Sequence, residues 1–371
     1  MLLWDRGRNE FVAGSGAAAV LVAKEPSTAA SLERRLAEQV ARDDSQSPGW
    51  IGGMRFAPER TPSASWADFG AGWWFRPRHW ITRRGELEQE GSNEARAQMP
   101  VNPAVSAPGE SRESYLDRVR FALKELEQPG LRKVVLARSV KREGAIDPVR
   151  TLEALAEREA RGTLYWLAPS EDQGFLGVTP ETLYRREGLA VETEALAATA
   201  PLSDRDGAAL LRDEKSLREH RYVRDAIAGA LQPVSKSIDV SPEPGVLTLA
   251  RLHHLHTPIR AELKTPQSLL ARLHPTPAVC GTPFAAAEEA IARLEAVDRG
   301  LYAGAVGWWR RDGESVHVAL RGAHYSRDAS TAFLGAGIVQ GSLPQAELLE
   351  LDLKAASLFE AWAASGREDS R

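Results

Sequence analysis

The sequence predicts an α+β fold of largely antiparallel sheets surrounded by helices. Strand-like runs follow one another in hairpin-like succession, which suits antiparallel pairing. Helical stretches are interleaved among them without the regular alternation of a doubly wound sheet. No GxGxxG follows a strand and no GxxxxGK[ST] occurs, so neither of those phosphate cradles is indicated.

Residues 1–110 break into apolar pieces separated by Gly, Pro and Trp, as at 49–53 (GWIGG) and 70–75 (GAGWWF), and read as strands and turns. The uncharged run 11–23 reads as a strand and turn; it is too short to span a bilayer. Residues 90–112 are polar and rich in Pro, Ser, Gly and Ala, the composition of a long surface loop. Leu116, Val119, Leu123 and Leu126 recur at helical spacing, predicting a helix over 115–126. A buried strand follows at 133–138, then a helix at 148–160. Strand pairs are predicted at 164–168 with 174–178, and at 183–186 with 188–194. Val223, Ile227 and Leu231 form one stripe of an amphipathic helix over 215–231. A helix over 285–297 stops at Asp298-Arg299-Gly300, and strands are expected at 303–310, 315–321 and 331–334. The last helix begins near Pro344, with Ser342 as its cap and Gln345 completing a Ser-x-x-Gln box. The tail, 363–371, is polar and reads as frayed.

The chain has 371 residues, 43% apolar and 26% charged, which excludes a disordered chain. Its 47 basic and 51 acidic residues leave a net charge of −4. So balanced a surface gives no electrostatic reason to expect nucleic acid or an anionic membrane as partner. A small molecule is the expected ligand. The lone cysteine, Cys280, excludes a disulfide within the chain and a zinc site of several thiolates, which fits a reducing cytoplasm.

Several residues stand out chemically. Glu347 and Glu350 are three apart on the last helix and share a face. Glu219 lies in line with the apolar stripe of its own helix, where a carboxylate needs a cationic partner; a hard divalent ion would serve. Lys133 sits in an apolar strand, where burial or a neighbouring cation would move a lysine toward general-base duty. Arg321 carries the planar fork that matches a carboxylate. Soon after it, Gly335-Ala336-Gly337 allows backbone N–H groups to approach an anion. His253, His254 and His256 resemble a metal cluster, but a strand here is expected to put His254 on the face opposite the other two, and no thiolate joins them, so they are not read as one.

The order of these features along 114–358 resembles the chorismate-utilising enzymes, and among them the isochorismate synthases. Seven blocks carry the resemblance: KVVLAR at 133–138, GFLGVTPE at 174–181, TEALAAT at 193–199, DEKSLREH at 213–220, LHPTPAV at 273–279, RGLYAG at 299–304, and GAGI at 335–338 running on through Glu347 and Glu350 to Lys354. The resemblance implies one chorismate-binding domain over 1–371, with a variable N-terminal part (1–110), a catalytic core (114–358) and a fold like that of aminodeoxychorismate synthase. It implies Lys133 as the base that activates water and Glu181 as the acid that protonates the departing hydroxyl. Glu219 and Glu350 match direct Mg²⁺ ligands, and Glu347 a ligand acting through water. Thr199, His254, Ala278, Tyr302, Arg321, Gly337 and Lys354 match substrate-binding positions. It further implies a monomer that turns chorismate into isochorismate for menaquinone or siderophore synthesis. Lysine at 133 resembles the water-using branch of the family.

The sequence departs from the family pattern at three places. Ser216 stands where an acid is common near the metal, Ala198 where glycine precedes Thr199, and Cys280 where a smaller residue is usual. Alternative readings are a salicylate synthase, an amino-transferring relative, or a non-catalytic scaffold that only binds ligand.

Overall fold

The computed structural model describes residues 1–43, 48–97, 105–202 and 207–365. Its strands form one continuous network, and every pairing is antiparallel. Strand β4 (Gly72–Arg84) is the hub. One edge of β4 pairs with β2 (Glu10–Ala23). From there an arm runs through β1 (Leu2–Asp5), β7 (Thr163–Leu167), β8 (Gly174–Thr179), β17 (Gly322–Tyr325), β18 (Ala329–Val339) and β6 (Lys133–Glu143) to the short β14 (Gly281–Thr282). The other edge of β4 takes β3 (Trp50–Met54) and β5 (Leu87–Ser92). From β3 a second arm runs through β15 (Ala305–Trp309), β16 (Gly313–Val318), β9 (Thr182–Glu187) and β10 (Ala190–Pro201) to β13 (Leu252–Leu263). The far edge of β13 pairs with β11 (Ser235–Val240) and β12 (Gly245–Thr248).

Seven helices among the described residues cover these arms: α1 (Ala29–Arg42), α2 (Arg112–Leu126), α3 (Pro148–Arg158), α4 (Glu214–Leu231), α5 (Leu270–Leu273), α6 (Phe284–Leu294) and α7 (Pro344–Ser365). Local chemistry sets their starts. Ser111 caps α2 by accepting from the N–H of Ser114. Asp147 caps α3 ahead of Pro148, and Asp213 caps α4, each carboxylate taking up N–H groups that the first turn leaves unpaired. The apolar core draws on both ends of the chain: Trp66, Trp73 and Trp74 from the N-terminal part pack in one cluster with Tyr115, Val134, Leu301 and Phe333. No helix among the described residues is long and apolar enough to cross a membrane.

The antiparallel α+β expectation holds, with local corrections. Residues 1–110 contain a helix, α1, that strand-and-turn punctuation hides. Thr28 caps it and Leu32 and Leu36 bury one face, but charged residues separate these leucines and mask the stripe. Helix α6 ends at Leu294, not 297, because Glu295 leaves the helix axis and pairs with Arg299. Helix α7 starts at Pro344, so Ser342 lies one residue too early for the predicted box. Its hydroxyl instead accepts from the N–H of Val339. The strand expected over 315–321 stops at Val318, since Arg321 takes a left-handed φ of 47°. In the predicted tail, 363–365 are still helical; 366–371 lie outside the described residues. So do 98–104 of the expected loop.

Two strand pairs and two helices position the functional residues. Strands β6 and β18 pair in register, with Gly337 opposite Val135. Strands β10 and β13 pair with a bulge between Ala197 and Thr199. Helices α4 and α7 carry the carboxylates.

Candidate active site

One cavity is lined by Lys133, Glu181, Thr199, Glu219, His254, Ala278, Tyr302, Arg321, Gly337, Glu350 and Lys354. These are all the residues given a catalytic, substrate-binding or metal role from the sequence except Glu347. They come from all seven sequence blocks, with His254 and Arg321 from between them, and lie on four strands (β6, β10, β13 and β18), on helices α4 and α7 and in the turns between elements, so chain folding alone brings them together.

Lys133 begins β6, is 1% exposed, and places its Nζ 3.1 Å from Oε1 of Glu219 on α4. Gly337 makes this approach possible. A Cβ there would lie 2.4 Å from Glu219 Oε1 and 3.0 Å from Lys133 Cε, so any larger residue would push the pair apart. On α7, Glu350 pairs with Lys354 at 2.6 Å, and Lys354 also donates to the Gly335 carbonyl at 2.9 Å. Glu347 lies behind the lining and is buried. It pairs with Lys215 at 3.0 Å, and burial, then the nearby Glu350 charge, push its carboxyl up.

Glu181 lies in the turn between β8 and β9. Burial, reinforced by the negative charge of Glu194, pushes its carboxyl up to about 8, against the pull of Lys133, Lys354 and a hydrogen bond with Thr276. It is therefore a protonated acid at neutral pH. Glu194 keeps its own charge because His256 and the N–H of Thr182 both bond it.

A chain of polar contacts fixes Arg321 in the cavity wall. Arg321 Nη2 lies 3.2 Å from His254 Nε2, and His254 Nδ1 lies 3.1 Å from Thr199 Oγ1. A guanidinium only donates, so Nε2 is the acceptor and Nδ1 carries the proton of a neutral ring. Burial and the charge of Arg321 hold His254 well below the ordinary histidine range, which agrees with that tautomer. Behind Arg321 stands the buried Glu159, 3.6 Å away, itself bonded by Ser357.

Backbone strain is concentrated here. Four non-glycine residues among those described have positive φ. Three of them, Ala198 (63°), Ala303 (59°) and Arg321 (47°), line this cavity. Ala198 is where the family pattern has glycine, and the bulge in β10 explains why: the chain turns left-handed at that residue.

The three candidate metal carboxylates converge electrostatically. Glu347, Glu219 and Glu350 all raise the affinity of Lys215 for its proton. Their all-oxygen donor set fits a hard ion such as Mg²⁺ and not a thiophilic one. Each is drawn to a lysine, however, and no three His, Cys, Asp or Glu side chains among the described residues stand together as a cage. Ser216, where the family resemblance leads to the expectation of an acid, donates through both its N–H and its hydroxyl to Asp213. The expectation that a strand would set His254 apart from His253 and His256 is corrected: alternation along β13 sets His253 apart, and each ring has its own partner, His253 Thr248, His254 Thr199 and His256 Glu194. Cys280 is buried, and burial pushes its thiol up to about 12, which makes it no nucleophile.

Sequence reasoning passed over Glu159, Lys215, Glu194 and Thr276. Lys215 precedes Glu219 by one helical turn, and Glu194 and Thr276 lie inside recognised blocks, so these three had a positional signal. Glu159 had none, because only tertiary folding sets it behind Arg321.

Comparison with known proteins identifies the family and the fold. The family described as "Chorismate binding enzyme" matches residues 80–363. The isochorismate synthase DhbC of Bacillus subtilis is 35% identical over 270 residues, 67% of this chain and 67% of that protein. The salicylate biosynthesis isochorismate synthase of Pseudomonas aeruginosa is 37% identical over 285 residues, 73% of this chain but only 60% of its own length. The solved structure of MenF, the menaquinone-specific isochorismate synthase from Escherichia coli, superposes with a TM-score of 0.80 at 26% identity, covering 97% of this chain and 88% of that one.

Proposed function

The chain belongs to the chorismate-binding enzymes, and on that premise we propose that it is an isochorismate synthase, converting chorismate to isochorismate for a menaquinone or siderophore pathway. The observation that carries this reading is the meeting of the buried Lys133 and the buried Glu181, whose carboxyl is pushed up to about 8, at one cavity that also holds the largely enclosed Arg321.

Chorismate bears two carboxylates. Arg321, held by His254 and Glu159, is suited to grip the enolpyruvyl carboxylate through its fork. Lys133 takes a proton from the water that adds at C2. The ring double bonds shift, and Glu181 donates its proton to the C4 hydroxyl as it leaves as water. Tyr302, Ala278 and Thr199 shape the walls around the ring, and the backbone at Gly337 leaves room beside it. Glu219 and Glu350 would hold Mg²⁺ directly and Glu347 through water; when bound, the ion supplies positive charge for the ring carboxylate. Because Lys133 and Glu219 are paired, the carboxylate proposed for the metal also restrains the base. We assign residues 114–358 the catalytic core of one domain, acting as a monomer, and 1–110 a supporting part.

Incubation of the protein with chorismate and Mg²⁺, followed by chromatography, tests the reading. Isochorismate as sole product is expected. Salicylate with pyruvate, an aminated product when ammonia is supplied, or ligand binding without turnover would each overturn it.

A further inference from the structure

Behind Phe333 lies a second cavity, of about 430 Å³. Phe333 lines both it and the candidate active site, and stacks on Tyr302 with ring centroids 5.7 Å apart. The row Lys133, Val135, Ala137 and Ser139 on β6 runs from one cavity into the other.

The second cavity has an unbalanced positive charge. Two carboxylates border it, and both are already engaged: Glu110 by Arg118, with Nε at 2.7 Å from Oε1, and Glu295 by Arg299, at 2.6 and 2.8 Å. That leaves Arg138. It is only 8% exposed, has no ion-pair partner among the described residues, and makes one long hydrogen bond, 3.2 Å, to the Glu110 carbonyl. Its Nε has no partner, nor do the buried Ser139 hydroxyl and Arg118 Nη1 beside it. Burying a guanidinium and further donors without acceptors is costly, so such a cluster calls for an acceptor that the chain does not supply. The 15-residue α2 starts at the same cavity, with Ser111 and Ser114 on its wall, and a helix N-terminus favours negative charge.

We propose that this cavity is a second binding site, for a small anion bearing a phosphate or carboxylate group, with Arg138 as its principal partner. The shared wall at Phe333 and Tyr302 gives its occupant a route to the substrate cavity. An effect on turnover rests on the function proposed above; the binding itself does not.

Titration calorimetry with inorganic phosphate and, separately, malonate tests it, with the two arms distinguishing the source of the charge. Saturable binding of at least one probe is expected in the wild type and in Arg321→Met, which disables the anion grip of the first cavity. Arg138→Met is expected to weaken that binding about tenfold or more, the usual worth of a hydrogen bond to a charged group. Should Arg138→Met fail to fold, Ser139→Val serves instead. It removes a hydroxyl that has no partner and occludes the cavity wall, so affinity should drop without loss of thermal stability. Absence of saturable binding for both probes, binding lost in Arg321→Met, or wild-type affinity in both Arg138→Met and Ser139→Val would overturn the proposal.

Discussion

Lys133 and Glu181 are given opposite tasks, one to take a proton and the other to give one. Glu181 has a carboxyl pushed up to about 8 by burial and Glu194. It is protonated below that pH and loses its proton above it, so kcat/KM should fall as pH rises through about 8. Glu181→Gln should remove most turnover, since an amide has no proton to give at this step. A flat rate profile through pH 8 in the wild type would argue against Glu181 as the acid. Lys133→Ala should abolish turnover while circular dichroism shows an unchanged fold; retention of most of the activity would refute its role as base. Ala198 carries a conformational cost. A left-handed alanine costs about 1–2 kcal/mol, of which glycine's greater unfolded-state freedom offsets part, so Ala198→Gly should raise stability by roughly 0.5–1 kcal/mol in urea unfolding. A drop in stability would mean that the φ of 63° is not a strain. At this scale the sequence was informative where a residue type sat inside a recognisable block. It was silent where the partner comes from elsewhere, as Glu159 does, because the spacing along the chain carries no trace of a contact made across the fold.

Elements hold the site by close approach. Strand β18 meets α4 at Gly337, where a Cβ would fall 2.4 Å from the Glu219 carboxylate. Gly337→Ala should therefore cut kcat/KM severely while leaving far-ultraviolet dichroism intact; wild-type kinetics would show that the Lys133–Glu219 pair has no role. The start of α4 depends on Asp213, which accepts from the N–H of Ser216 at 2.8 Å. Asp213→Ala should cost about 1 kcal/mol of stability, the usual loss for a removed helix cap. The helices α2, α3 and α4 were legible because their apolar stripes and caps coincide with the 3.6-residue period. Helix α1 was not, because Leu32 and Leu36 are its only fully buried side chains and they lie among Glu33, Arg34 and Arg35. The end of α6 was misplaced by a tertiary event, the turning of Glu295 toward Arg299, which periodicity does not encode.

For the whole molecule, the decisive feature is that both arms of the strand network meet at β4, so the N-terminal strands close the structure that presents the site. Strand β3 supplies the edge partner of β15, and Trp66 packs against Phe175, His324 and Phe333. Removing residues 1–110 would strip these partners and leave open strand edges. Such a truncation should aggregate or melt without a cooperative transition, and a folded, active fragment would separate the core from the N-terminal part. The antiparallel class was readable because hairpin-like succession survives in the local pattern; the two-armed connectivity was not, since pairs such as β3 with β15 and β6 with β18 join residues far apart in the chain. The central claim is that water activated at Lys133 becomes the new hydroxyl while Glu181 expels the old one. Initial-rate turnover of chorismate in oxygen-18 water, read by mass spectrometry, tests it most directly: isochorismate carrying one heavy oxygen at C2 is the predicted result, and isochorismate that has kept the original unlabelled oxygen would contradict it.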